Sequence, residues 1–196
     1  MDFHFCLITG PKHSGKSLCA KALKKITGGA VVDLDEEIEA QTGKTPRELY
    51  ALGQEVFKKA EVQALASVLA QAPALALQSS EQIFEQESQR GQGLRIISAG
   101  GGLIDNGEAV ALLAEARSAQ VEIITVYLDI PVEAAWQRIA ADGELPPFLG
   151  TTNPRETHRT LHCRRAEACK KMADIIVSAE NKSPEEIAGE IAGCLF

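Results

Sequence analysis

The segment FHFCLITGPKHSGKS, Phe3 to Ser17, joins an apolar run to a loop bounded by glycines that satisfies G-x-x-x-x-G-K-[ST]. The apolar half has the length and composition of a strand covered on both faces. A strand, this loop and then a helix is the context in which successive backbone N–H groups and a helix N-terminus converge on phosphate oxygens. Lys16 then reaches the β- and γ-phosphates, and Ser17 offers its hydroxyl to Mg²⁺. The segment predicts a nucleoside triphosphate site, with Lys12, His13, Ser14, Gly15, Lys16, Ser17 and Leu18 around the phosphates. By itself it does not say what receives a phosphate.

Working outward, further short β-branched or apolar runs lie at Ala30 to Asp33, Leu94 to Ala99, Val121 to Leu128 and Asp174 to Ser178, with helical spacing between them. That alternation predicts an α/β fold, a parallel sheet with helices on both faces. Right-handed crossovers then align the strand C-terminal ends on one edge, where ligands of such sheets bind. Helices are predicted over Gly15 to Ile26, Val132 to Ala141 and Pro184 to Leu195, the last with Ser183 as N-cap. The Ala- and Gln-rich stretch after Glu61 predicts an extended helix and then an inserted helical segment at about 73–93.

The 196 residues show no linker, so one domain over 1–196 is expected. A net charge of -7 argues against general binding to nucleic acid or anionic membranes. No basic leader precedes the first apolar run, and the most apolar later stretch, ALASVLAQAPALAL, is broken by Gln71 and Pro73, against a signal peptide or a membrane span. The five cysteines are odd in number and lack metal-ligand spacing, which predicts free thiols in a reducing cytoplasm, with Cys6 and Cys19 as packing residues. The histidines carry no metal-ligand pattern either.

Three later stretches bear on an acceptor. In VVDLDEEIEA, Asp33 and Asp35 end the second strand and start a helix. Residues two apart on a strand share a face, so one carboxylate can reach Mg²⁺ and the other an acceptor hydroxyl. An ordinary acidic helix start, favoured by the helix dipole, explains them equally well. GQEVFKKAE spans Gly53 to Glu61, and SAGGGLI places Gly100, Gly101 and Gly102 just past the third strand. Those glycines suit either close approach of backbone N–H groups to a substrate or a plain turn.

A phosphate loop, D-x-D-x-x-I-E, G-[EQ]-x-x-F-[RK]-x-x-E, GGG after a strand, and VYL with an arginine ten residues or so on, in that order, closely resembles the shikimate kinase family. The resemblance runs from the first strand to KSPEEIAGEI and omits the insertion. It implies a three-layer P-loop kinase fold of the nucleoside-monophosphate-kinase type, with a five-stranded parallel sheet and a mobile lid at about 142–159. It also implies ATP- and Mg²⁺-dependent phosphorylation of the 3-hydroxyl of shikimate, a small carboxylated polyol, by a cytoplasmic monomer serving aromatic amino-acid synthesis. By resemblance Asp35 holds the attacking hydroxyl, Asp33 and Ser17 serve the metal, Gly101 and Gly102 meet the substrate, Arg165 and Lys58 pair with its carboxylate, and Arg138 lies against adenine.

The sequence departs from the family pattern at four places. Lys58 stands for an arginine in F-R-x-x-E, with Glu61 placed to hold it across one helical turn. The lid motif R-P-L-L is here LPPFL, Leu145 to Leu149, and no Lys or Arg occurs between Arg138 and Arg155. Lys12, Arg155 and Arg159 are the candidates to replace that arginine. His13 stands for a glycine and Cys169 for a tyrosine, a change of packing more than of chemistry. These departures motivate two rival readings, a kinase for another hydroxy acid or polyol and a nucleotide-binding module impaired in catalysis.

Overall fold

A computed structural model describes residues 5–71, 93–142, 145–150 and 152–196 of the chain. The inserted segment expected at about 73–93 lies outside the described residues, save for Gly93.

Five parallel strands, β1 (Phe5–Thr9), β2 (Ala30–Asp33), β3 (Arg95–Ser98), β4 (Ile123–Asp129) and β5 (Ile175–Ser178), form one sheet in the order β2-β3-β1-β4-β5. FCLIT is central and wholly buried, which accounts for its unbroken apolar character. Its alternate residues feed two separate cores. Phe5 and Leu7 face Leu34, Ile38, Leu65 and Leu113 on one side, and Cys6 and Ile8 face Cys19, Leu23, Ile187 and Ile191 on the other.

The helices of the first core are α2 (Leu34–Thr42), α3 (Pro46–Leu52), α4 (Gln54–Leu69) and α5 (Gly107–Ser118). The second core is covered by α1 (Lys16–Thr27) and α8 (Pro184–Leu195), while α6 (Val132–Ala141) and α7 (Pro154–Met172) pack on each other beyond β4. The result is the three-layer α/β architecture expected of the sequence. Ser183 caps α8 as anticipated, accepting from Glu186 N–H at 3.2 Å while Glu186 Oε2 accepts from Ser183 N–H at 2.7 Å. Asp174 was expected to open the fifth strand and instead braces it, its carboxylate accepting from Thr125 N–H at 2.7 Å and from Arg117 Nη2 at 2.6 Å.

Register fixes the functional edge. Asp33 pairs with Ser98 across β2 and β3, and Ser98 pairs with Ile8 across β3 and β1. The chain leaving β1 at Gly10 therefore emerges beside Asp33 and Ser98. No helix among the described residues is long and apolar enough to cross a membrane. All five cysteines are free, and burial pushes the thiols of Cys6 and Cys19 up to about 12.

Candidate active site

Gly10 to Gly15 wraps the N-terminus of α1. Gly15, at φ 92, forms the cap without a side-chain acceptor, so the first amides of α1 keep their donors free for an anion. Lys16 Nζ donates to the carbonyls of Gly10 at 3.0 Å and Pro11 at 2.7 Å. Burial holds its pKa down at about 8, against the pull of Asp35 and Asp33. His13 sits at φ 60, the left-handed region in which a glycine is at ease. Two contacts hold it there: its carbonyl accepts from Arg138 Nη1 at 2.9 Å, and its Nε2 lies 3.3 Å from Asp142 at the end of α6. Burial, then the charge of Lys12, lowers the pKa of His13, against the opposing pull of Asp142.

Asp33 and Asp35 converge through a cap, not through strand alternation. Asp33 ends β2 and caps α2, its Oδ1 accepting from Asp35 N–H at 3.1 Å, while its Oδ2 accepts from the Ser17 hydroxyl at 2.7 Å. Ser17 Oγ is also 3.3 Å from Ser98 Oγ. Serine hydroxyl and aspartate carboxylate are hard oxygen donors, a set that suits Mg²⁺ completed by phosphate and water. Burial raises the pKa of Asp35, and the neighbouring Asp33 raises it further.

One cavity of about 460 Å³ runs from this loop to the far wall. Lys12, His13, Lys16, Ser17, Asp33 and Asp35 line one part of it, and Lys58, Gly101, Gly102 and Arg165 line the other. Ser14, Gly15, Leu18 and Arg138 stand outside the lining. Ser14 Oγ is buried with no hydrogen-bond partner among the described residues, and Leu18 is exposed. Pro146, Pro147 and Phe148, within the segment expected as a lid, close one side. Arg165 is clamped by Asp105, whose Oδ2 accepts from its Nε at 2.7 Å, and the guanidinium rests 5.4 Å from the centre of the Phe148 ring.

Two contacts differ from expectation. Lys58 pairs with Glu55 at 3.1 Å rather than with Glu61, because Glu61 lies on the buried stripe of α4 and takes the Asn106 amide at 2.9 Å. Arg155 forks onto both Glu133 oxygens at 3.0 Å, and Arg159 lies 3.9 Å from Glu156. Both arginines line a separate hollow beside Trp136, so neither stands by the phosphate loop. Cys169 is buried with its thiol pushed up to about 11, a packing residue as expected.

Arg47, Tyr50, Ser98 and Asp105 also line the cavity, unexpected from the sequence. A partial signal existed for Asp105, an acid soon after GGG. Arg47 and Tyr50 had none, since only the packing of α3 brings them to the cavity.

A phosphate loop after the central strand, a pair of carboxylates at the end of β2, one strand removed from it, and cationic groups facing them across one cavity define a P-loop kinase. The family profile described as shikimate kinase matches residues 12–88 and 76–195. The chain belongs to the shikimate kinase family. It is 29% identical to the shikimate kinase of Thermobifida fusca over 187 residues, covering 95% of this chain and 91% of that protein. Among solved structures, it resembles the shikimate kinase of Aquifex aeolicus at TM-score 0.71 and 25% identity, covering 97% of this chain and 95% of the other. The shikimate kinase of Acinetobacter baumannii, solved in complex with shikimate, superposes with TM-score 0.75 at 23% identity, over 98% of this chain and 93% of the other.

Proposed function

We propose that the chain transfers the γ-phosphoryl group of ATP to the 3-hydroxyl of shikimate. The observation that carries this reading is the single cavity in which the phosphate loop and Asp35 face Lys58 and Arg165. Phosphoryl transfer asks a protein for position and for fixed charge. Lys12, His13, Ser14, Gly15, Lys16, Ser17 and Leu18 hold the phosphates, and Arg138 lies against adenine. Ser17 and Asp33 would hold Mg²⁺, which when bound would neutralise charge on the phosphate oxygens. Lys58 and Arg165 bind the substrate carboxylate, with Gly101 and Gly102 against the ring.

In the transfer the shikimate oxygen forms a bond to the γ-phosphorus. The bond from that phosphorus to the bridging oxygen breaks, and its electron pair leaves with ADP. The hydroxyl proton passes to Asp35. The raised pKa of Asp35 suits it to that task, because a stronger conjugate base takes the proton more readily. One copy of the chain carries every group named, which fits a monomeric enzyme, and five free thiols fit the reducing cytoplasm.

The reading predicts ADP release that depends on shikimate in the presence of ATP and Mg²⁺. Asp35→Asn should lower kcat by about 10²-fold or more with little change in ATP affinity. ADP release indifferent to shikimate, or an unchanged rate in the variant, contradicts it.

A further inference from the structure

The transferring phosphoryl carries charge on three equatorial oxygens, and a cation fixed beside them lowers the barrier. Most cations near the loop are already committed. The covering residues Pro146, Pro147 and Phe148 bring none, since no Lys or Arg lies between Arg138 and Arg155. Arg155 is forked onto Glu133, Arg138 is bound to the His13 carbonyl, Arg165 is clamped by Asp105, and Lys58 is paired with Glu55.

Lys12 differs from all of these. It is exposed, lines the cavity beside Lys16 and Asp35, and no hydrogen bond or ion pair ties it to another described residue. Its charge is felt at Lys16, Asp35 and His13, so it stands among the loop lysine, the proton acceptor and the loop turn. The backbone that bears it is held on both sides. Pro11 C=O accepts from Ser14 N–H at 3.2 Å, and His13 is fastened to Arg138 and Asp142. The flexible four-carbon stem thus starts from a fixed point and ends in an uncommitted ammonium.

We propose that Lys12 is a catalytic residue whose ammonium contacts the γ-phosphoryl oxygens during transfer, in place of a cation from the covering segment. This rests on the shikimate phosphorylation argued above. Lys12 neither gains nor loses a proton: the acceptor oxygen bonds to phosphorus, the bridging bond breaks towards ADP, and the proton goes to Asp35. The ammonium offsets the negative charge that builds on the phosphoryl between those two events.

The test compares wild type with Lys12→Met and Lys12→Arg. It reads kcat at saturating ATP, Mg²⁺ and shikimate, the Kd of MgADP, and the affinity for aluminium fluoride with MgADP and shikimate, a mimic of the transferring phosphoryl. Lys12→Met should lower kcat and aluminium fluoride affinity by about 10²-fold while moving the MgADP Kd less than about threefold, and Lys12→Arg should recover much of both. Because Lys12 is exposed, the melting temperature should stay put. An active wild type matched by Lys12→Met overturns the role of Lys12 alone. A loss confined to MgADP binding overturns it as well, by confining Lys12 to the phosphates that stay with ADP. A wild type with no shikimate-dependent turnover overturns the underlying function, and this assignment with it.

Discussion

Glu61 is a carboxyl group 2% exposed, held by the Asn106 amide on the core side of α4. Burial lifts its pKa from 4.5 to about 7, against the opposing effect of that hydrogen bond. Its folded value is therefore above its unfolded one. Below pH 4.5 both states hold the proton and the native state bears no penalty; as pH rises towards 7 the unfolded chain ionises first and stability is lost. Between pH 5 and pH 8 the loss should be about 2 to 3 kcal/mol. Glu61→Gln removes the titration and keeps an acceptor for Asn106. Urea unfolding at the two pH values should show wild type losing that much relative to the variant, and parallel pH profiles would contradict the assignment. Legibility at this scale follows distance along the chain. Lys16 and Ser17 could be read because a few consecutive residues fix their positions. The burial of Glu61 could not, since its partner Asn106 comes from the cap of α5, far along the sequence.

Gly101 shows what joins the phosphate loop to the sheet. A Cβ there would stand 2.6 Å from the Gly10 carbonyl oxygen and 3.3 Å from Pro11 Cα, both backbone atoms with little room to move. The need for glycine thus comes from the loop as well as from any substrate. Gly101→Ala should force the two segments apart and destabilise the fold by roughly 1–3 kcal/mol. ATP affinity should fall with it, since the displaced backbone is the one proposed to cradle phosphate. Thermal unfolding and nucleotide titration check both effects, and unchanged values would contradict the close approach. The strands were legible because burial on both faces leaves continuous apolar runs such as FCLIT and IITVYLD. Helix ends shifted by a residue where a cap decides the boundary, as at Gly15 before α1. The reach of Pro146 to Phe148 over the cavity was legible only through the family resemblance, which placed a lid at about 142–159, because it depends on contact with elements distant in sequence.

For the whole molecule, a chain of net charge -7 lines one cavity with Lys12, Lys16, Arg47, Lys58 and Arg165 set against Asp33, Asp35, Glu61 and Asp105, a near balance that the net charge does not show. Overall charge therefore describes the surface and not the site. The fold class was legible from the alternation of strands and helices, and the catalytic edge from the loop after the first strand. The order β2-β3-β1-β4-β5 was not, because it turns on which way each crossover runs. That order puts β2 and β3 on the same side of β1, and so brings Asp33 and Ser98 to the loop that β1 launches. In the proposed function the γ-phosphoryl leaves ATP for a carbon-bound hydroxyl and not for water. Phosphorus NMR of the chain with ATP, Mg²⁺ and shikimate tests it most directly. A new phosphomonoester resonance, coupled to the proton on C3 of the ring, should grow in step with ADP. Growth of inorganic phosphate alone, or no change in the ATP signals, would contradict it.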